Sequence, residues 1–210
     1  MSNYLKKVIA EGEHYTQDFK YCISDARKIA RTFSAFSNSN GGRLLIGVRD
    51  NGSVAGMSSD EEYYMVESAA TLYCRPEISF TTDIHRTDSK TVIEISIPEG
   101  KEKPYLANNY NGRWLAYIRK ADQNLLANKV ILNIWKLKND DRDLLVEISY
   151  AETKLIEYLK SNESITLKQF RRLSGLNKHK AEWILAKFIK IGILNFDLTE
   201  YGCSYLPAKH

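Results

Sequence analysis

The chain has 210 residues, 43% of them hydrophobic and 27% charged, with a formal net charge of +4. That length allows one large or two small domains, and the composition excludes wholesale disorder. No apolar run approaches the roughly 20 residues of a membrane span, and no secretory signal follows Met1, so a cytoplasmic location without membrane contact is expected. Cys22, Cys74 and Cys203 are odd in number and far apart, which excludes a disulfide framework and a cysteine zinc site.

Thr16 to Tyr21 reads as a short strand. Ser24 is placed to cap a helix, with Asp25 in its first turn. Ala26, Ile29, Ala30, Phe33 and Phe36 then share one helical face. Gly41-Gly42 ends that helix, and Arg43 to Arg49 reads as a buried strand followed by the turn Asp50-Asn51-Gly52 and a short return strand to Gly56. Ser59 and Glu62 have the spacing of a capping box, predicting a helix to Cys74 that Arg75-Pro76 stops. Ile78 to Ile84 and Thr91 to Ile97 alternate as strands. Pro98 to Gly112 reads as a loop, Arg113 to Arg119 as a strand and Asn124 to Leu137 as a helix.

The charge run from Lys138 to Asp143 is the predicted linker. It divides an N-terminal domain, residues 1–140, from a C-terminal one, residues 144–210. Two capping boxes follow, Ser149 with Glu152 and Thr166 with Gln169, each before apolar positions at helical spacing. Gly175 makes a turn, Asn177 caps a helix that Gly192 ends, and 193–196 with 203–206 form a hairpin. Short helices followed by a hairpin give the order of a winged helix-turn-helix. Within 162–192 stand seven Lys or Arg residues and two acids, a local basic patch. In a helix-turn-helix the second helix enters the major groove. Lys178 and His179 at its start are therefore candidates for base contacts. Lys168, Arg171, Arg172, Lys180 and Lys187 are candidates for phosphate contacts. Lys180, Trp183, Lys187 and Lys190 share one face. The structural alternative is that these lysines solvate the helix and Trp183 packs at a contact.

The segment Glu13 to Gly56 carries a denser pattern. Glu13 stands five residues before Asp18-Phe19-Lys20. Ala35-Phe36-Ser37-Asn38-Ser39-Asn40-Gly41-Gly42-Arg43-Leu44-Leu45-Ile46-Gly47-Val48-Arg49-Asp50 follows. Further on come Lys103-Pro104-Tyr105, Gly112 and Tyr117-Ile118-Arg119. Over residues 8–130 this resembles the Schlafen-type AlbA-like domain, whose bacterial members are often followed by a winged helix. Lys103 replaces an arginine of that pattern. The resemblance implies a nucleic-acid-binding α/β domain, usually in transcriptional regulators. In some animal members it implies an endoribonuclease with three carboxylates and a divalent metal. The matching positions are Glu13, Asp18 and Asp50, with Asp18 standing where the family usually has Glu, one methylene longer.

A hard cation, Mg²⁺ or Mn²⁺, would suit such carboxylates. Two of them also have a structural reading: Asp50 opens a turn, and Asp18 pairs with Lys20 or Arg43. Gly41-Gly42 lacks the context of a nucleotide-binding loop, so ATP is not expected. Arg43, Arg119 and Lys120 are further candidates for phosphate contacts. The expected fold is an α/β (α+β) N-terminal domain, with a mixed sheet and flanking helices, joined to a small winged helix-turn-helix. The expected role is nucleic-acid binding, DNA before RNA, in a transcriptional regulator that dimerisation would suit. The alternatives are the metal-dependent endoribonuclease and a non-enzymatic protein-interaction module.

Overall fold

The computed structural model describes residues 1–57, 59–87, 89–138 and 149–208. The expected linker, from residue 139 onward, lies outside the described residues. The chain forms two compact units, Met1–Ala127 and Asn128–His210. No described helix is long and apolar enough to cross a membrane.

The first unit begins with helix α1 (Asn3–Ala10), strand β1 (Gln17–Lys20), helix α2 (Ala26–Asn38) and strand β2 (Gly42–Ile46). β1 and β2 pair in parallel, with Asp18 opposite Leu44, and α2 is the crossover between them. Helix α3 (Glu61–Thr71) and the short strand β3 (Cys74–Arg75) lead to strands β4 (Thr81–Thr87) and β5 (Lys90–Ile97). The latter two complete a mixed sheet in the order β1-β2-β5-β4. A second sheet, β3-β6-β7-β8, uses β6 (Leu106–Asn108), β7 (Trp114–Lys120) and β8 (Gln123–Leu126).

Helix α2 is buried almost all round because it packs on both sheets. Ile29, Ala30, Phe33 and Phe36 meet Leu44, Ile46, Ile93 and Ile95 of the first sheet and Ala107 and Tyr117 of the second. Leu5 and Val8 of α1 cover the other face of the first sheet over Phe19, Leu45, Val48 and Val92. Asn38, at the end of α2, ties the helix to the second sheet. Its Nδ2 donates to the carbonyls of Tyr105 at 2.7 Å and Tyr117 at 2.9 Å, and its Oδ1 accepts from the Tyr105 amide at 2.8 Å. The glycine pair after it is a packing requirement. Gly41 has φ 71°, and a Cβ there would stand 2.8 Å from the Ile97 carbonyl oxygen and the Glu99 nitrogen. A Cβ on Gly42 would stand 2.6 Å from the Phe36 ring. Both glycines are thus accounted for without a phosphate.

Several local expectations change. Asp25, not Ser24, caps α2, its Oδ1 accepting from the Arg27 amide at 2.9 Å. The Ser59–Glu62 capping box does not form. Asp60 is the N-cap of α3, and the buried Glu62 carboxylate accepts from the Ile23 amide at 2.9 Å. A tertiary partner has displaced the local one. The fourth strand of the first sheet starts at Thr81 rather than Ile78. The supposed loop after Pro98 contains β6, and residues 123–126 are strand rather than helix because they pair with β7.

The second unit consists of α4 (Lys129–Lys138), α5 (Tyr150–Ser161), β9 (Ile165–Thr166), α6 (Leu167–Ser174), α7 (Lys178–Lys190), β10 (Leu194–Thr199) and β11 (Gly202–Pro207). The strands form one antiparallel sheet in the order β10-β11-β9. Both capping boxes form here: Glu152 accepts from the Ser149 amide and Gln169 from the Thr166 amide. Gly175 closes α6 in the left-handed conformation, and Asn177 caps α7 by accepting from the Lys180 amide at 3.0 Å. The core joins Leu155, Phe170, Leu185 and Phe188 to Val130, Ile134 and Leu137. α4 therefore packs with the second unit, whereas a division at the charge run assigns it to the first. Its apolar positions at i, i+4 and i+7 form a stripe that sequence alone does not allot to either core.

Candidate functional site

The carboxylates of the expected metal triad occupy different surroundings. Asp18 lies on β1, on the face opposite Phe19, because successive strand residues alternate. Its carboxylate is buried and has two cations: Lys20 Nζ at 2.8 Å and Arg119 Nη2 at 3.1 Å. Glu13 reaches the same spot, its Oε1 accepting from the Phe19 amide at 2.8 Å. Asp50 is exposed, in a turn that closes against Ile9 of α1, where a Cβ on Gly52 would lie 3.1 Å from the Ile9 methyl. That is the Phe19 side of the sheet. Among the described residues no three His, Cys, Asp or Glu groups are placed to hold a metal ion. Glu13 and Asp18 come together, Asp50 stays apart, and Asp18 is already neutralised by Lys20 and Arg119. The residues present do not fit Mg²⁺ or Mn²⁺ as a three-carboxylate site.

Glu13 has a measurable consequence. Its carboxyl is raised above the ordinary range by burial and by the neighbouring Asp18, while the bond from the Phe19 amide acts in the opposite direction. A folded-state value above the unfolded one stabilises the fold fully below the ordinary carboxylate range. That contribution is lost as pH rises through the raised value. Glu13→Gln keeps the acceptor for Phe19 and removes the titration. Its unfolding free energy should therefore vary less with pH across that window than the wild type's, in urea melts at stepped pH. Superimposable pH profiles would refute the assignment.

The candidate phosphate ligands of the first unit are largely occupied. Arg119 is enclosed, its side chain 1% exposed. Its guanidinium donates to Asn124 Oδ1 at 2.9 Å and to the Gln17 carbonyl at 3.0 Å, and lies 5.1 Å from the Phe36 ring centroid. It is a structural hub, and a phosphate does not reach it. Arg43 binds Glu11 and Gln17 through its guanidinium. Lys120 stands half-buried at the end of β7.

The candidates of the second unit divide by burial. Lys168, Arg171 and Arg172 on α6 and Lys178, His179 and Lys180 in the first turn of α7 are all exposed. The inward stripe of α7 (Ala181, Leu185, Phe188) is buried, so helical periodicity leaves that first turn outward. Lys178 Nζ and His179 Nδ1 each lie 3.8 Å from the buried Glu182. Lys187 departs from the expected lysine stripe. Its side chain is 13% exposed and its ammonium lies 4.0 Å from Glu152, the buried acid of the α5 capping box. Lys190 donates to the Leu137 carbonyl and so holds α7 to α4. Trp183 remains 44% exposed.

A group missed at the sequence level lies on the first unit. Arg27 stacks over Tyr73 and Tyr110, with 4.6 and 5.7 Å to the ring centroids. Arg31 lies 5.9 Å from both Tyr110 and Tyr117, and Arg75 is 4.1 Å from Trp114. Arg27 and Arg31 are one helical turn apart, a signal the sequence did contain. The aromatic residues that meet them come from the α3–β3 junction (Tyr73), the β6–β7 hairpin (Tyr110) and β7 (Tyr117).

Comparison with solved structures gives low similarity. The DIP2311 protein of Corynebacterium diphtheriae is similar at 16% identity over 97% of this chain, with TM-score 0.47; this chain spans 38% of that one. The N-terminal domain of a RecG-related protein from Nitrosomonas europaea is similar at 18% identity over 68% of this chain and 92% of its own, with TM-score 0.41. No curated protein matches the chain. At the level of the family the match is direct. Residues 13–128, from the half-buried Glu13 through the Asn38–Gly42 junction to the end of β8, match the family described as Schlafen, AlbA_2, and the chain belongs to that family.

Proposed function

We propose that the protein binds nucleic acid, duplex DNA through its second unit, and acts as a transcriptional regulator. The reading takes α6, the Gly175 turn and α7 as a helix-turn-helix and the β10–β11 hairpin as its wing. The observation that carries it is the exposed basic set on α6 and on the first turn of α7, while Ala181, Leu185 and Phe188 of α7 are packed in the core. In a helix-turn-helix, N-terminal residues of the second helix face base edges, and surrounding cations neutralise phosphates. Lys178 and His179 occupy the first position. Lys168, Arg171, Arg172 and Lys180 occupy the second. Lys187, held against Glu152, is not among them. The family membership supports a nucleic-acid partner for the chain as a whole.

The test is a salt titration of DNA binding by fluorescence anisotropy. Each phosphate contact removed lowers the slope of log affinity against log salt by about 0.9 for duplex DNA. Arg172→Ala with Lys180→Ala should flatten the slope by about 1.8, whereas Lys187→Ala should leave it unchanged. His179→Ala should alter the preference among DNA sequences with little change in slope. Equal slopes for wild type and the double variant would refute the proposed interface.

A further inference from the structure

We infer that the first unit carries a separate binding face for single-stranded nucleic acid, built on the Arg27–Arg31–Tyr110 stack. The inference rests on the nucleic-acid reading above and assigns a second polymer form to a different surface. Three observations converge. The first is charge without a counter-ion: among the described residues, Arg27, Arg31 and Arg75 form no ion pair, and the Nε atoms of Arg27 and Arg31 are enclosed without a hydrogen-bond partner. The acid closest in sequence, Asp25, is committed to capping α2 through the Arg27 amide. Elsewhere on this unit the protein supplies such partners, as Asp18 does for Arg119 and Glu11 for Arg43.

The second observation is the rings. Tyr110 is 57% exposed and lies within reach of both Arg27 and Arg31. Its position is set by an Asx-type hairpin. Asn109 Oδ1 accepts from the amides of Asn111 and Arg113, and Gly112 takes φ 71°. Trp114, the first residue of β7, carries Arg75 on its ring. The third is continuity: β3, β6 and β7 are consecutive in one sheet, so Arg75 and Trp114 belong to the two strands that flank β6.

Cations held on aromatic faces, with an exposed ring between them, suit a chain that offers phosphates and unstacked bases together. In a duplex the bases are stacked inward and cannot use Tyr110. An acidic peptide would use the arginines but not the exposed ring. The chemistry on this face therefore favours a single strand.

The experiment uses the full chain and a labelled oligothymidylate, with labelled duplex DNA and polyglutamate as competing probes. Tyr110→Ala should weaken single-strand binding roughly tenfold and leave duplex binding unchanged, and Tyr110→Phe should preserve both. Arg27→Gln with Arg31→Gln should flatten the single-strand salt slope by about 1.4. Should that variant melt early, Arg27→Lys with Arg31→Lys keeps the slope but lowers affinity, since ammonium stacks less well on rings. Single-strand binding indifferent to all these changes overturns this inference alone, provided that duplex binding still depends on Arg172 and Lys180. Polyglutamate binding that matches the oligonucleotide's and ignores Tyr110 assigns the face to acidic protein and also overturns it. Failure to bind either nucleic acid overturns this inference together with the reading on which it rests.

Discussion

Replacing Arg119 by methionine should lower the unfolding free energy by about 3–5 kcal/mol, the cost of breaking a buried ion pair from one side. The side chains of Arg119 and Asp18 are 1% and 4% exposed. Methionine fills much of the volume but leaves the Gln17 carbonyl and one oxygen of Asp18 without their donor. Lysine should rescue poorly, because one ammonium cannot replace a planar fork that serves Asn124, Gln17 and Asp18 together. Adding Asp18→Asn to Arg119→Met should recover part of the loss by removing a buried charge then held by Lys20 alone. Urea unfolding of the three variants measures this. A loss under about 1 kcal/mol for Arg119→Met would mean that water reaches the pair and that it behaves as a surface ion pair.

Asn38→Ala should be nearly as severe. The substitution removes the partner of three backbone groups, the amide and carbonyl of Tyr105 and the carbonyl of Tyr117. Each buried group left unsatisfied costs about 1–3 kcal/mol, so a loss of about 3 kcal/mol or more is expected. Asn38→Asp keeps the acceptor for the Tyr105 amide, discards both donors and buries a charge, so it should not rescue. Thermal melts together with amide exchange at Tyr105 separate the two contributions. Unchanged protection at Tyr105 in Asn38→Ala would show that the asparagine is not what ties α2 to the second sheet. In both variants a motif residue acts as an internal strut, and the DNA binding proposed for the second unit should persist wherever that unit remains folded.

In the second unit, local chemistry was legible where the partner lay within a few residues. The capping boxes at Ser149 and Thr166, the glycine stop at Gly175 and the Asn177 cap involve bonds spanning three or four positions, and their residue types announce them. The strand before α2, the apolar face of α2 and the buried strand after Gly42 were likewise legible, while the parallel pairing of β1 with β2 came with the tertiary structure. The match of motif order to a family was also legible, because the motif residues are those the fold needs at fixed places: Asn38 for its three bonds, Gly41 and Gly42 for close approach.

What tertiary structure alone decided has one physical cause: side chains with a local option took a distant one. Glu62 has capping-box spacing but is buried against the Ile23 amide. Lys187 has the spacing of a phosphate-tracking stripe but is turned to Glu152. Arg119 resembles an exposed strand-end cation and is instead the buried partner of Asp18. Asp50 shares a motif with Glu13 and Asp18, yet its turn closes on α1, away from them. Burial penalises an unpaired charge far more than sequence proximity rewards a local pair, so the partner is chosen by whichever surfaces the fold brings together. The Arg27–Arg31–Tyr110 stack follows the same logic. Two arginines one turn apart are visible in the sequence, but only the β6–β7 hairpin, more than seventy residues on, places an aromatic ring between them.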